Sequence, residues 1–219
     1  MTSPTQSSAL RRGASLGAGS LLLTGTAAAL LTGLAATAGA TGTTFTVDSS
    51  ADGAADATHC TNGTAGDCTL RDAALAAGDG DTIAFASGIL AITLTDGTIS
   101  MGAASIVGPG SALLTITSNR TGGTYDAFGV IGTGDVVFSG FTLANNRILT
   151  DLTGDFTMRD VAVNASSGDW GGALYAKGTG DLEIDDSRFE NGAANHDAGA
   201  VYAYNTGNVM ISNSTFFQN

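Results

Sequence analysis

Four stretches of the chain, beginning at Gly134, Gly154, Gly180 and Gly207, repeat one pattern. They run to Asn146, Ser166, Gly192 and Asn219, and their starts lie 20, 26 and 27 residues apart. A period of this length means that each copy is one supersecondary unit, which buries its apolar face only against its neighbours. The repeat therefore constrains the fold to a stacked array before any single residue is considered.

Within each copy, counted from its Gly, positions 3 and 5 are apolar: Val136 and Phe138, Phe156 and Met158, Leu182 and Ile184, Val209 and Ile211. Alternation at period two marks a strand with one buried face. Positions 8 and 10 resume the pattern with Phe141 and Leu143, Val161 and Val163, Ser187 and Phe189, Ser214 and Phe216. The step from 5 to 8 shifts the phase, so both pairs stay inside only if the chain turns a corner at positions 6 and 7. Those positions hold Ser139-Gly140, Arg159-Asp160, Asp185-Asp186 and Ser212-Asn213, which suit a bend. A third short strand is expected in the two longest units, over Gly172–Ala176 and Gly199–Ala203. Asn145, Asn146, Asn191 and Asn219 suit sharp bends at strand ends, because Asn tolerates left-handed backbone. Three strands per unit fit the coil of a parallel β-helix, whereas two-residue Asn-Gly or Asp-Gly hairpin turns, which a sandwich or propeller would need, are not the rule.

Residues 1–40 differ from the rest. Arg11 and Arg12 carry the only charges, an apolar Leu/Ala/Gly stretch runs from about Leu16 to Leu34, and Ala38-Gly39-Ala40 supplies small residues. This is the layout of a secretory signal peptide; an uncleaved anchor is disfavoured by the Ala, Gly and Thr content. No Phe-Leu follows Arg11-Arg12 in twin-arginine register. Removing the leader takes away two of the 8 basic residues and none of the 20 acidic ones, leaving a net charge near −14. That balance offers nucleic acid or an anionic membrane no electrostatic attraction, so neither nucleic-acid binding nor membrane insertion of the mature domain is expected. It suits solubility outside the cell or contact with cations. In an exported chain Cys60 and Cys68, the only cysteines, are expected to pair. A zinc site with His59 would lack a ligand and has the wrong spacing.

After Phe45-Thr-Val47, an Asp/Ala/Gly loop carries both cysteines and leads into Thr69-Leu-Arg-Asp72. This is a capping box with Thr69 as N-cap and Asp72 three residues on. Leu70, Ala73, Ala74 and Ala77 then give a short helix one apolar face, and Gly78 is expected to end it. Such a helix would cover the first coil, whose strand edges otherwise invite aggregation. Cys68-Thr-Leu-Arg-Asp-Ala73, with a Cys-bearing acidic loop before it and Gly80-Asp-Thr-Ile-Ala-Phe85 after it, resembles the CSLREA domain. That domain opens secreted bacterial right-handed parallel β-helix proteins similar to polymorphic outer-membrane protein repeats. Thr69 and Asp72 stand where the family has Ser and Glu, which keeps the capping chemistry. The resemblance spans roughly Phe45 to Asn219, including Ile92–Leu94, Ile106–Gly110 and Leu114–Ser118. It implies a secreted or surface-exposed stalk or adhesin-like module and brings no catalytic residues.

The expected organisation is a signal peptide at 1–40, a disulfide-tied cap at 41–90 and coils at 91–219, all-β and right-handed with one capping α-helix. The fourth copy breaks off after its second strand, so a truncated product or fragment is expected. The expected role is structural or adhesive at the cell surface, with host or matrix glycans or proteins as partners and no cofactor. The alternative is a polysaccharide lyase or glycoside hydrolase acting on acidic polysaccharide. Its site would be the corner cluster Asp160, Asp185, Asp186 and Asn213, where carboxylates one strand spacing apart suit a Ca²⁺ ion or an acid and nucleophile pair. The ordinary outcome is that Arg159 pairs with Asp185 and the rest are solvated. His196 lies outside a Gly-His-Gly setting and is read as a loop residue between second and third strands. No Arg pair follows for a uronate. Asp79-Gly-Asp81 could donate oxygens to Ca²⁺ but equally suits a turn. Trp170, Tyr175, Tyr202 and Tyr204 fit either a sugar platform or mutual packing, the second being commoner. Asn62, Asn119, Asn164 and Asn213 head Asn-x-Ser/Thr sites that matter only where the host glycosylates them.

Overall fold

The computed structural model describes residues 42–119, 126–178, 180–204 and 206–219; the expected signal peptide lies outside them. The described residues form one α-helix and eighteen strands, and every strand pairing is parallel.

Three ladders run through the protein. The first stacks β1 (Thr44–Val47), β2 (Thr82–Phe85), β5 (Ser105–Val107), β8 (Val136–Ala144), β10 (Phe156–Asn164), β13 (Leu182–Asp185) and β17 (Val209–Ser212). The second stacks β3 (Ala91–Leu94) and β6 (Thr115–Ser118) on the C-terminal halves of β8 and β10, followed by β14 (Arg188–Glu190) and β18 (Thr215–Phe217). Because β8 and β10 run through both, the two ladders form one eleven-stranded sheet. The third holds β4 (Ile99–Met101), β7 (Asp126–Gly132), β9 (Arg147–Leu152), β12 (Leu174–Lys177) and β16 (Val201–Tyr204). A separate pair joins β11 (Ser167–Trp170) to β15 (Ala193–Asp197).

The register follows the repeat residue by residue. Val136, Phe156, Leu182 and Val209 are successive partners, as are Leu143, Val163, Phe189 and Phe216. In the first three copies both pairs are buried, whereas Val209, Ile211 and Phe216 of the fourth are exposed; the two pairs share a side because the chain bends at position 7, where Gly140, Asp160, Asp186 and Asn213 all take left-handed backbone (φ 70, 52, 46 and 49°). Position 12 is a second left-handed column: Asn145, Ala165, Asn191 and Gln218 (φ 58, 54, 53 and 53° in the order Asn145, Asn191, Ala165, Gln218). The interior is filled by Phe128, Phe138, Phe141 and Phe156, whose neighbouring rings lie 5.3–6.3 Å apart. Position 8 of the third copy is a buried serine rather than an apolar residue. The Ser187 hydroxyl donates to the Asp185 carbonyl and accepts the Val161 N–H, which removes the cost of burying it.

The unit starting at Gly134 has a third strand as well, β9, in line with three strands per unit. The extra length of the longer units forms β11 and β15. Two expectations change. His196 belongs to β15 rather than to a loop, since the insertion is extended and pairs along its length. Gly78 does not end the helix in left-handed backbone. Helix α1 (Leu70–Ala76) stops at Ala77, which is extended (φ −77°, ψ 131°), and the Asp81 carboxylate takes the Gly78 N–H.

Candidate functional site

The corner cluster is assembled by register: Arg159 sits opposite Asp185, and Asp185 opposite Ser212. Asp160 itself holds a left-handed position and Asp185 directly precedes one, and each carboxylate bonds a neighbouring turn rather than facing the other carboxylate. Asp160 reaches back to Ser111, accepting its N–H at 3.1 Å and its hydroxyl at 2.5 Å. Asp185 reaches forward, accepting the Ser212 hydroxyl at 2.6 Å and the Asn213 amide at 2.9 Å. These two bonds, with Arg159 behind them, hold the Asp185 carboxyl below its usual range. Arg159 bonds Glu183 at 3.1 Å and lies 3.8 Å from Asp185. Asp186 is exposed. The geometry thus brings Asp185 and Asn213 together and turns Asp160 away. Among the described residues no group of three or more His, Cys, Asp or Glu is placed to hold a metal ion.

A second acidic column was visible in the repeat and carried no expectation. Position 2 is Asp135, Asp155, Asp181 and Asn208. The Asp135 carboxylate accepts the Asp155 N–H at 2.9 Å, and the pattern continues up the column. The bond from the Asn208 backbone holds Asp181 below its usual carboxylate range. The Gly-Asp pair that opens the first three copies, with Gly-Asn in the fourth, is the signal. Asp79 and Asp81 work in the same way: Asp79 accepts the N–H groups of Ala103 and Thr133, and Asp81 those of Thr43 and Gly78. Their oxygens are already engaged by backbone.

The cap region is held by charge as well as by packing. Cys60 and Cys68 form a disulfide, which consumes both thiols and removes the zinc alternative. Thr69 and Asp72 make a reciprocal capping box: the Thr69 hydroxyl accepts the Asp72 N–H at 3.1 Å, and Asp72 accepts the Thr69 N–H at 3.0 Å. Asp72 also accepts the Asp56 N–H at 2.6 Å and contacts His59 Nδ1 at 3.2 Å. Burial would raise the Asp72 pKa, but these bonds outweigh it and lower it, while the Asp72 contact raises that of His59. No motif in the sequence marks Arg71 for pairing; its side chain is 9% exposed and pairs with Asp52, 2% exposed, at 2.8 Å. Arg71 further donates to the carbonyls of Gly97 and Thr98, and Asp52 accepts the N–H groups of Thr95 and Asp96. Burial opposes the charge on Asp52, yet Arg71 and the two N–H groups keep its pKa low. One ion pair therefore ties helix α1 to the loop before it and the turn after β3. The polar cleft beside the disulfide, lined by Thr44, Thr46, Asp48, His59 and Thr64 among others, belongs to this cap and not to the acidic corner.

On the third ladder a different chemistry gathers. Tyr175 lies opposite Tyr202, and Lys177 opposite Tyr204. Trp170, at the end of β11, stacks on His196 with centroids 4.7 Å apart and 19° between planes. The Trp170–Tyr202 and Tyr175–Tyr202 centroids are each 5.5 Å apart. Beneath them the buried Arg147 pairs with Asp126 at 2.5 Å and places its guanidinium 5.5 Å from the Tyr175 ring. Burial raises the Asp126 pKa, and Arg147 offsets only part of that rise.

Compared with protein-family models, with curated proteins and with solved structures, the chain matches none.

Proposed function

We propose that this chain is a non-catalytic structural and adhesive module of the cell surface, built as a right-handed parallel β-helix behind a CSLREA-like cap. Parallel ladders linked by crossovers are right-handed almost without exception, and the Cys68–Ala73 segment carries the family likeness. The disulfide is compatible with an oxidising, extracellular setting. No described helix is long and apolar enough to cross a membrane.

One observation carries the reading. Two of the three acidic corner residues serve the stack: Asp160 is bonded to Ser111, and Asp185 to Ser212 and Asn213. A general acid and its partner must instead face one substrate from either side. Two measurements test this. Incubation with acidic and neutral polysaccharides is expected to leave them intact, and beads coated with the purified chain are expected to adhere to immobilised matrix glycans or glycoproteins. Polysaccharide turnover that disappears in Asp186→Asn would overturn the reading in favour of a carbohydrate-active enzyme.

A further inference from the structure

The first spacing between copies is 20 residues and the next two are 26 and 27. The additional residues build β11 and β15, a parallel pair outside the three ladders. In stacked repeats, insertions confined to one side are commonly where a binding face is carried. The aromatic residues follow the insertion. The chain's one tryptophan, Trp170, closes β11, and three of its four tyrosines, Tyr175, Tyr202 and Tyr204, lie on the adjoining strands β12 and β16.

These rings are not part of the core. Phe128, Phe138, Phe141, Phe156 and Phe189 are fully buried, whereas Trp170 is 37% and Tyr204 47% exposed. Leu174 and Ala176 point inward from β12, which leaves Tyr175 and Lys177 on its outer face. Tyr175 and Tyr202 form one column, continued through Trp170 to His196, and Tyr204 stacks beside Tyr202 with 9° between planes. The planes differ by 47° between Trp170 and Tyr202 and by 65° between Tyr175 and Tyr202, so the row offers a stepped run of partly exposed apolar rings with polar edges.

The rim states what such a face accepts. Lys177 is paired with Asp151 at 3.0 Å. Asp169 bonds the Asn195 amide at 2.9 Å, and Asp197 lies opposite Trp170 in the strand pairing. Beyond the Lys177–Asp151 pair, the rim therefore holds two carboxylates and an amide. Carboxylate and amide oxygens accept hydroxyl protons, while like charge disfavours a uronate or sulfated sugar.

We propose that the face formed by Trp170, His196, Tyr202, Tyr175 and Tyr204 binds a neutral, unbranched glycan, whose pyranose C–H faces stack on the rings while its hydroxyls meet Asp169, Asn195 and Asp197. This names the partner class of the adhesive module and rests on that reading for its biological setting.

Because Trp170 is the one tryptophan, its emission reports on this face. Titrating the protein with cellohexaose or xylohexaose is expected to shift that emission with a Kd of about 1 mM or tighter, with no shift from hexagalacturonate. By calorimetry, Tyr202→Ala is expected to weaken binding roughly tenfold, the loss of one stacked ring. Tyr204→Ala, at an exposed position with little bearing on folding, is expected to weaken it less. Leu113→Ala, an exposed apolar change in another turn, is expected to have no effect. No emission change with either neutral sugar, or equal binding of hexagalacturonate, would overturn the glycan face while leaving bead adhesion to judge the adhesive module. Cleavage of the bound oligosaccharide would overturn the adhesive reading but not the binding face.

Discussion

The Asp155 carboxylate accepts the backbone N–H of Asp181 at 2.7 Å, and the Asp181 carboxylate accepts that of Asn208 at the same distance. Each turn is therefore fastened to the next by a charged acceptor on a backbone donor, a stronger bond than a neutral pair makes. The glycine before each of these residues is needed for the same approach. A Cβ on Gly180 would lie 2.5 Å from Asp155 Oδ1 and 3.1 Å from the Gly154 carbonyl carbon.

Gly180→Ala is accordingly expected to destabilise the protein by about 1–3 kcal/mol, the usual range for forcing an atom into a filled space. Urea unfolding measures it. Gly53→Ala, where an added Cβ meets nothing within 4 Å, is the control and is expected to be near neutral.

Ala165 is the residue least suited to its column. It holds φ 53° between Asn145 and Asn191, which take the same conformation, and it has neither the freedom of Gly nor the local bonding of Asn. Ala165→Gly and Ala165→Asn are each expected to stabilise by about 0.5–1 kcal/mol. A fall in the urea midpoint for both would show that the left-handed column is not the source of strain.

The Arg71–Asp52 pair is expected to be costly to break from one side. Arg71→Met leaves Asp52 buried without its guanidinium and is expected to cost about 2–3 kcal/mol. Adding Asp52→Asn should recover part of that loss. An additive double mutant would mean that the two side chains are not coupled.

Removing the disulfide by Cys60→Ser with Cys68→Ser opens a loop of sequence separation 8. The expected loss is about 2.5 kcal/mol by chain entropy. It should appear first as exchange of the α1 amides, because Cys68 precedes the N-cap Thr69 directly.

Stability is expected to peak in mildly acidic solution. Asp52, Asp72, Asp79 and Asp181 have pKa values lowered from 3.8. Their contribution is complete above 3.8 and disappears as pH falls through the lowered values. His59 is raised from 6.5, so its contribution is complete below 6.5 and disappears as pH rises through the raised value. Asp126 is raised from 3.8, so its penalty is relieved, not incurred, on acidification. The melting temperature followed against pH should therefore fall on both sides of the window between 3.8 and 6.5. His59→Gln should flatten the alkaline side alone.

The repeat was legible because register in a stacked sheet is a sequence property: Phe156, Leu182 and Val209 share a side of the strand wherever the copies align. The corner at position 7 was legible for the same reason, since a phase shift of one residue must be absorbed somewhere. What the corner residues do was not. Asp160 turns to Ser111, 49 positions earlier, and no local pattern announces a partner at that distance. The Arg71–Asp52 pair was hidden likewise, because an arginine in a short helix reads as its solvated face until the turn after β3 is seen to cover it. His196, outside a Gly-His-Gly setting, reads as a loop residue between the second and third strands, yet its segment extends because Ser167–Trp170 lies beside it.

The inserted pair β11 and β15 carries one last implication. The three ladders that join successive turns are set by the repeated length of each copy and by the third strand, while the stretch between them varies by several residues and adds its own pairing, β11 with β15, without disturbing the ladder register on either side. Such a chain can diversify its outer face by lengthening or rewriting one segment per turn. Change there lies outside the three ladders, so new surfaces can arise without each having to solve folding again.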